Sequence, residues 1–335
     1  MPDLTLSTLQ MIRSKVRRLT RSPSPSQIGD AEIDEYVNTF VLYDFPETLK
    51  LFSLRKVFTF YTQPYIDSYS TTTAVPTDPL YNFKNRFVSI HKQITIAGYP
   101  TLMSESRDQF YGIYPLTNSI SSIGVGDGVT TIYTGTLVKI PVIRGAVLFS
   151  SVDTTNNGLS LVDVPVPGSS VGNLNVPDTG VSVGTINYIT GAYTFTFPAA
   201  PLTGKSIDSQ TIPYVASRPQ ALLYFDDTFI VRPVPDQPYR VELEAYARPT
   251  ELLNGADMPD ICEWWQYIAY GSAKKIFEDR LDMESIQSIM PEFKNQERLV
   301  LRRTLLNNSN ERTASVYTEQ VDLSSGISGW GGNNV

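Results

Sequence analysis

One histidine and one cysteine, His91 and Cys262, supply all the imidazole and thiol chemistry of this 335-residue chain. A Ser/His/Asp or Cys/His system would have to use them. His91 lies in FVSIHKQITIAG, which reads as a strand, so it is expected to be a surface or half-buried strand histidine. Cys262 stands beside Trp264 and Trp265 and reads as a small buried helix residue rather than a nucleophile. One His and one Cys cannot build a zinc site of the usual spacing, and no internal disulfide can form. Carboxylates are the remaining route. Asp226 and Asp227 fall at a turn in YFDDTF, where aspartates are usually solvated caps, though a glycosidase pair stays open as an alternative. The glycine-rich run at 124–128, GVGDG, precedes a strand, whereas phosphate loops precede a helix whose N-terminus holds the anion, so it reads as a β-turn. No catalytic residue, metal ligand or cofactor site is assigned, and the chain is read as non-enzymatic.

The other chemistry-bearing groups are arginines. Arg13, Arg17 and Arg21 recur at i, i+4 steps, joined by Lys15 and Arg18, and Arg298, Arg302, Arg303 and Arg312 mark the exposed side of a late helix. A net charge of -7 speaks against tight DNA binding, because phosphate-clamping proteins are normally basic. These arginines are therefore expected to pair with acids of this chain or to meet another protein, where guanidinium forks bind carboxylates.

The elements that must position them follow from periodicity. Residues 4–20 read as a helix with Leu9, Ile12, Val16 and Leu19 on one side, and Ser22-Pro23-Ser24-Pro25 breaks it. Asp30 is a fair N-cap for a second helix, 30–43, that stops near Phe45-Pro46. Residues 56–70 read as strand, and 108–111 as part of a short helix. From Ile120 to Ile212 the chain is nearly free of charge. Short alternating runs such as VTTIYTGTL, GAVLFSSV, LSLVDVPV, TINYI and AYTFTF predict an all-β sandwich insert, with a hairpin at Thr190-Gly191 and with Tyr193, Phe195 and Phe197 on one face. Strands continue through 222–249, and helix returns over 260–306, interrupted at Pro291.

This order predicts an α+β protein in which N- and C-terminal helices form one bundle, attached to a β core with an inserted all-β sandwich. The parts are 1–119, N-terminal helices and the first part of the β core; 120–212, the insert; 213–256, β core strands; 257–312, C-terminal helices; and 313–335, a polar Gly-rich tail. Composition agrees: 41% hydrophobic and 18% charged residues exclude a disordered chain. The start MPDLTLSTLQ has no charged leader and apolar core, and no run approaches the ~18 apolar residues of a membrane span, so a soluble cytoplasm-made protein with no membrane partner is expected. No repeat with a period of about 20–50 residues is visible, which removes solenoids and propellers.

Three segments carry a resemblance. The basic helix, the Ser/Pro linker and GDAEIDEYVNTFVLYDFPETLKL resemble the start of phage structural proteins at the portal vertex. FIVRPVPDQPYRVELEAYARPTEL resembles the strand pair that leads into the last helices of head-to-tail adaptor proteins (tail tubular A type) of short-tailed phages. The insert, with GVGDGVTTIYTGTL, PVIRGAVLF and GTINYITGAYTFTFPAAPLTGKSI, resembles a β-sandwich module of phage virion proteins, and is absent from the smaller adaptors. The resemblance implies a virion structural protein of the portal vertex and tail, synthesised in the host cytoplasm. It implies a homo-oligomeric ring, usually of about twelve subunits, closed by head-to-tail contacts. The partners implied are the portal protein and tail nozzle or fibre proteins, with DNA passing through the channel without specific binding. The interface residues expected for portal or neighbouring subunit are Arg13, Arg17, Arg21, Arg298, Arg302, Arg303, Val316 and Tyr317. The alternatives are a fibre- or spike-anchoring or minor tail protein, and a carboxylate-dependent glycan hydrolase.

Overall fold

A computed structural model describes residues 7–104, 106–166 and 168–305. The protein is α+β. Its described residues fall into two compact units, one of 7–58, 84–91 and 244–305, the other of 59–83 and 92–243.

The first unit is mainly helical. Helix α1 (Leu9–Leu19) buries Leu9, Ile12 and Val16 of the predicted stripe, while Leu19 is half-buried. Helix α2 (Asp30–Thr39) follows, with Gly29 rather than Asp30 as its N-cap. The helix does not stop at Phe45-Pro46. A widened π turn, Phe40–Asp44, lets the Phe45 N–H reach the Phe40 carbonyl, and Pro46 then sits in the first turn of α3 (Phe45–Thr48), where its missing N–H is not needed. A 3-10 turn, Cys262–Trp264, leads into α6 (Trp265–Asp279). Before α6 in the chain come α4 (Phe83–Arg86) and, within the second unit, α5 (Arg107–Ile113), capped by Ser106, whose Oγ accepts from the Gln109 N–H. The last helix runs over 283–305 without interruption at Pro291. The break falls instead at 280–282, where Leu281 takes φ 56° and the Asp282 carboxylate accepts from the Ser285 N–H. The proline forfeits one helical hydrogen bond, and two residues on, Phe293 packs against Tyr267 and Phe40.

An N-terminal segment, 9–54, and a C-terminal one, 252–300, build one core here. Leu9, Ile12, Val16, Ile33, Val37 and Phe40 share a cluster with Ile268, Ala269, Ile276 and Val300. Each such buried aliphatic side chain contributes about 1.5–3 kcal/mol relative to exposure. Gly271 permits the close approach: a Cβ there would stand 2.3 Å from the Phe40 ring.

Seven strands form one sheet in the order β1-β15-β3-β4-β13-β14-β2. They are β1 (Arg55–Tyr61), β2 (Ser68–Ser70), β3 (Phe87–Ile96), β4 (Tyr99–Ser104), β13 (Ala221–Phe225), β14 (Thr228–Arg232) and β15 (Arg240–Ala247). The strand expected over 56–70 is split, because Pro64 supplies no ladder donor and Tyr65 turns to φ 60°. β15 buries Val241, Leu243 and Ala245 on one face, as the alternation predicts.

The charge-poor segment forms a second sheet of eight strands, all within the second unit. They are β5 (Ser119–Val125), β6 (Ile132–Thr136), β7 (Leu148–Val152), β8 (Gly158–Pro165), β9 (Val171–Asn175), β10 (Ser182–Asn187), β11 (Ala192–Thr196) and β12 (Ser206–Thr211), ordered β5-β12-β7-β8-β9-β10-β11-β6. The β10–β11 hairpin pairs Ile186 with Tyr193, and Gly191 turns with φ 71°. The ladder is one continuous sheet that curls toward a barrel. Phe149 on β7 lies 4.6 Å from Phe195 on β11, ring to ring. Strands that far apart in a flat sheet would be separated by roughly 19 Å. Tyr193, Phe195 and Phe197 line the inside together, each almost wholly buried.

Candidate interaction surfaces

His91 is half buried in β3, and Cys262 is half buried in its 3-10 turn. Asp226 and Asp227 are the two turn residues of the β13–β14 hairpin, with φ 48° and 51°. Positive φ at both positions is the signature of a type I′ turn, which Asp tolerates better than most residues. The Asp227 carbonyl accepts from the Thr71 N–H and hydroxyl, and its carboxylate accepts from the Tyr224 hydroxyl at 3.2 Å. Among the described residues, no group of three or more His, Cys, Asp or Glu is placed to hold a metal ion. No helix among them is long and apolar enough to cross a membrane.

The glycine-rich run is a turn. The Asp127 carboxylate accepts from the N–H of Val129 and from both the N–H and the hydroxyl of Thr130. These donors, the Thr130 hydroxyl foremost, hold its pKa down at about 2. Gly126 and Gly128 have their own structural reasons: a Cβ at 126 would meet Leu202 and Pro201 backbone, and Gly128 takes φ 80°.

The arginines divide into two groups. Arg13 grips Asp34 with both prongs, Nε to Oδ1 and Nη2 to Oδ2, each at 2.5 Å, with both side chains about four-fifths buried. The Asp34 hydrogen bond raises the Arg13 pKa further above its ordinary value. Arg17 donates to the Ile28 carbonyl at 2.9 Å and to Asp30 at 2.5 Å, and this contact lowers the Asp30 pKa. These two residues tie α1 to α2. Arg303 pairs with Glu263 and lies over the Trp264 ring. Arg298 donates to Asn295 on its own helix and is otherwise exposed. Arg21 and Arg302 are exposed and make no ion pair among the described residues. Val316, Tyr317 and the tail lie outside the described residues.

Three surfaces were not legible in advance. A cleft of ≈ 310 Å³ in the first unit is lined by Glu35, Tyr36, Thr39, Lys275, Glu278 and Asp279. There the Tyr36 hydroxyl donates to Asp279 at 2.6 Å, and the carboxylate pushes the phenol pKa up to about 12. In the second unit a ≈ 240 Å³ cleft lies where the chain enters and leaves the eight-stranded sheet, among Tyr114, Ile143, Tyr214, Pro233 and Val234. Beside it Arg232 and Asp67 form a mostly buried ion pair at 2.7 Å. The third is the pair of outer strands of that sheet, β5 and β6, which carry exposed Ile120, Val125 and Ile132.

No protein-family model matches the chain. No curated protein matches it either.

Proposed function

We propose that this chain is a virion structural protein, the head-to-tail adaptor that forms a ring below the portal of a tailed phage and lines part of the DNA channel. In this reading the helices of the first unit form a bundle that packs between subunits and against the portal. The eight-stranded insert faces outward to nozzle or fibre proteins. Residues 313–335 order on binding. The protein has no catalytic role, and DNA passes without specific contact.

The observation that carries the reading is the core that joins the two chain ends, Leu9 through Phe40 with Ile268 through Val300. It builds one helical platform from the two segments. Arg21, Arg298 and Arg302 remain at its exterior for carboxylates of a neighbour. Arg13 and Arg17 hold the platform together instead, so the docking role expected of them passes to the exposed three. The acidic balance suits a channel wall that repels passing DNA.

The test is a pull-down of the full chain with the portal protein of the same particle. Arg298→Glu with Arg302→Glu is expected to abolish capture, while Arg303→Ala weakens it little because Arg303 is paired internally. No capture of the portal by the unaltered chain overturns the reading.

A further inference from the structure

Arg13, Arg17, Lys274, Lys275 and Arg303 of the first unit each hold a carboxylate of that same unit. The last helix, 283–305, carries cations that are not answered in this way. Lys294, Arg298 and Arg302 are exposed and form no ion pair among the described residues; Arg298 donates only to the neutral Asn295.

These three share one side of the helix with Leu301 and Leu305. Positions 294, 298, 301, 302 and 305 stand at i, i+4, i+7, i+8 and i+11, the spacing of a single helical face. The stripe covers about three turns, roughly 17 Å. Phe293 and Val300 lie on the opposite side and enter the core. Leu301 is 39% exposed and Leu305 65%. Between 294 and 305 the only acid is Glu297, half-buried to one side of the stripe. The leucines therefore lie toward one margin and the guanidinium groups toward the other.

We infer that this stripe docks an acidic amphipathic helix of a partner protein. The partner's apolar row covers Leu301 and Leu305, and its carboxylates answer Lys294, Arg298 and Arg302. Charge complementarity selects the occupant. Three unanswered cations call for carboxylates or phosphates, and the leucines decide between the two. A phosphate backbone offers them no apolar surface, and a chain of net charge -7 repels DNA as a whole. An acidic helix supplies both halves, because apolar and charged residues at helical spacing fall on adjoining margins of one face. The inference rests on the portal-docking reading for the partner's identity and adds the chemistry that partner must carry.

The experiment measures by calorimetry the dissociation constant of the full chain for the portal protein, at low and at high salt. One variant combines Leu301→Ala with Leu305→Ala, and another combines Arg298→Gln with Arg302→Gln. Each pair is expected to raise the dissociation constant by roughly tenfold or more, and the arginine pair also flattens its salt dependence. All four side chains are exposed, so the thermal midpoint should hold. If the leucine pair lowers it, Leu305→Ala alone decides. Leucine variants that bind the portal like wild type overturn the amphipathic docking and leave portal capture resting on charge. Retention of random-sequence duplex DNA by the wild-type chain, lost in the arginine pair, overturns it in favour of a nucleic-acid surface. A wild-type chain that does not bind the portal overturns the docking reading and this inference together.

Discussion

Gly271→Ala tests the joining of the two chain ends through a sign rather than a size. In a solvent-facing helix position this change stabilises by about 1 kcal/mol, because alanine has the higher helix propensity. At 271 the added methyl would stand 2.3 Å from two carbons of the Phe40 ring, far inside the ~3.5–4.0 Å of ordinary carbon contact. The ring has little room to withdraw. It lies 5.4 Å from Tyr267 and 6.3 Å from both Phe45 and Phe293, centroid to centroid. Overpacking of this kind costs about 1–3 kcal/mol. Set against the propensity gain, the expected net loss is about 1 kcal/mol and at most about 2. Urea unfolding followed by tryptophan fluorescence reports on the right unit: Trp264 and Trp265 pack against its core, and residues 59–243 contain no tryptophan. Adding Phe40→Leu should recover part of the loss by making room. A midpoint raised by Gly271→Ala would refute the close packing of the N-terminal helices on α6.

Other outcomes follow from the same contacts. Arg13→Met should destabilise the first unit by about 1–2 kcal/mol by leaving the mostly buried Asp34 without its fork, whereas Arg302→Ala should stay within about 0.5 kcal/mol; equal effects in urea unfolding would contradict the division of the arginines. Phe149→Ala should cost about 3–5 kcal/mol in the eight-stranded sheet, read as lost hydrogen-exchange protection in β7 and β11, and retained protection would count against the curled sheet. Asp127 should titrate near pH 2 in a carboxyl NMR experiment. Because the folded pKa lies below the unfolded one of about 3.9, its contribution to stability is complete above pH ~4 and is lost as pH falls toward 2. A midpoint near the ordinary value would remove the turn's hydrogen bonds from the account.

Much of the fold was legible because burial repeats with the period of the element. The Leu9–Ile12–Val16 stripe, the Val241–Leu243–Ala245 alternation and the Tyr193–Phe195–Phe197 face each stand where periodicity puts them. The charge-poor stretch from Ile120 marks the strands β5 to β12. The misses came where one residue's local preference met tertiary context. Pro46 reads as a stop and Pro291 as an interruption, yet a π turn accommodates the first and the helix runs on through the second. Leu281, an ordinary leucine in sequence, makes the break through a positive φ that nothing in its residue type announces. The arginines at i, i+4 were legible as a basic face. That Asp30 and Asp34 take Arg17 and Arg13 required knowing that α2 folds back on α1. The outer strands were illegible for a further reason, since strand order, not strand sequence, decides which strands lie outermost.

The central claim is that the chain works by assembling. Electron microscopy of the purified protein mixed with its portal tests this most directly. The account predicts a closed ring of about twelve copies seated on the portal. Monomers beside bare portals would contradict it.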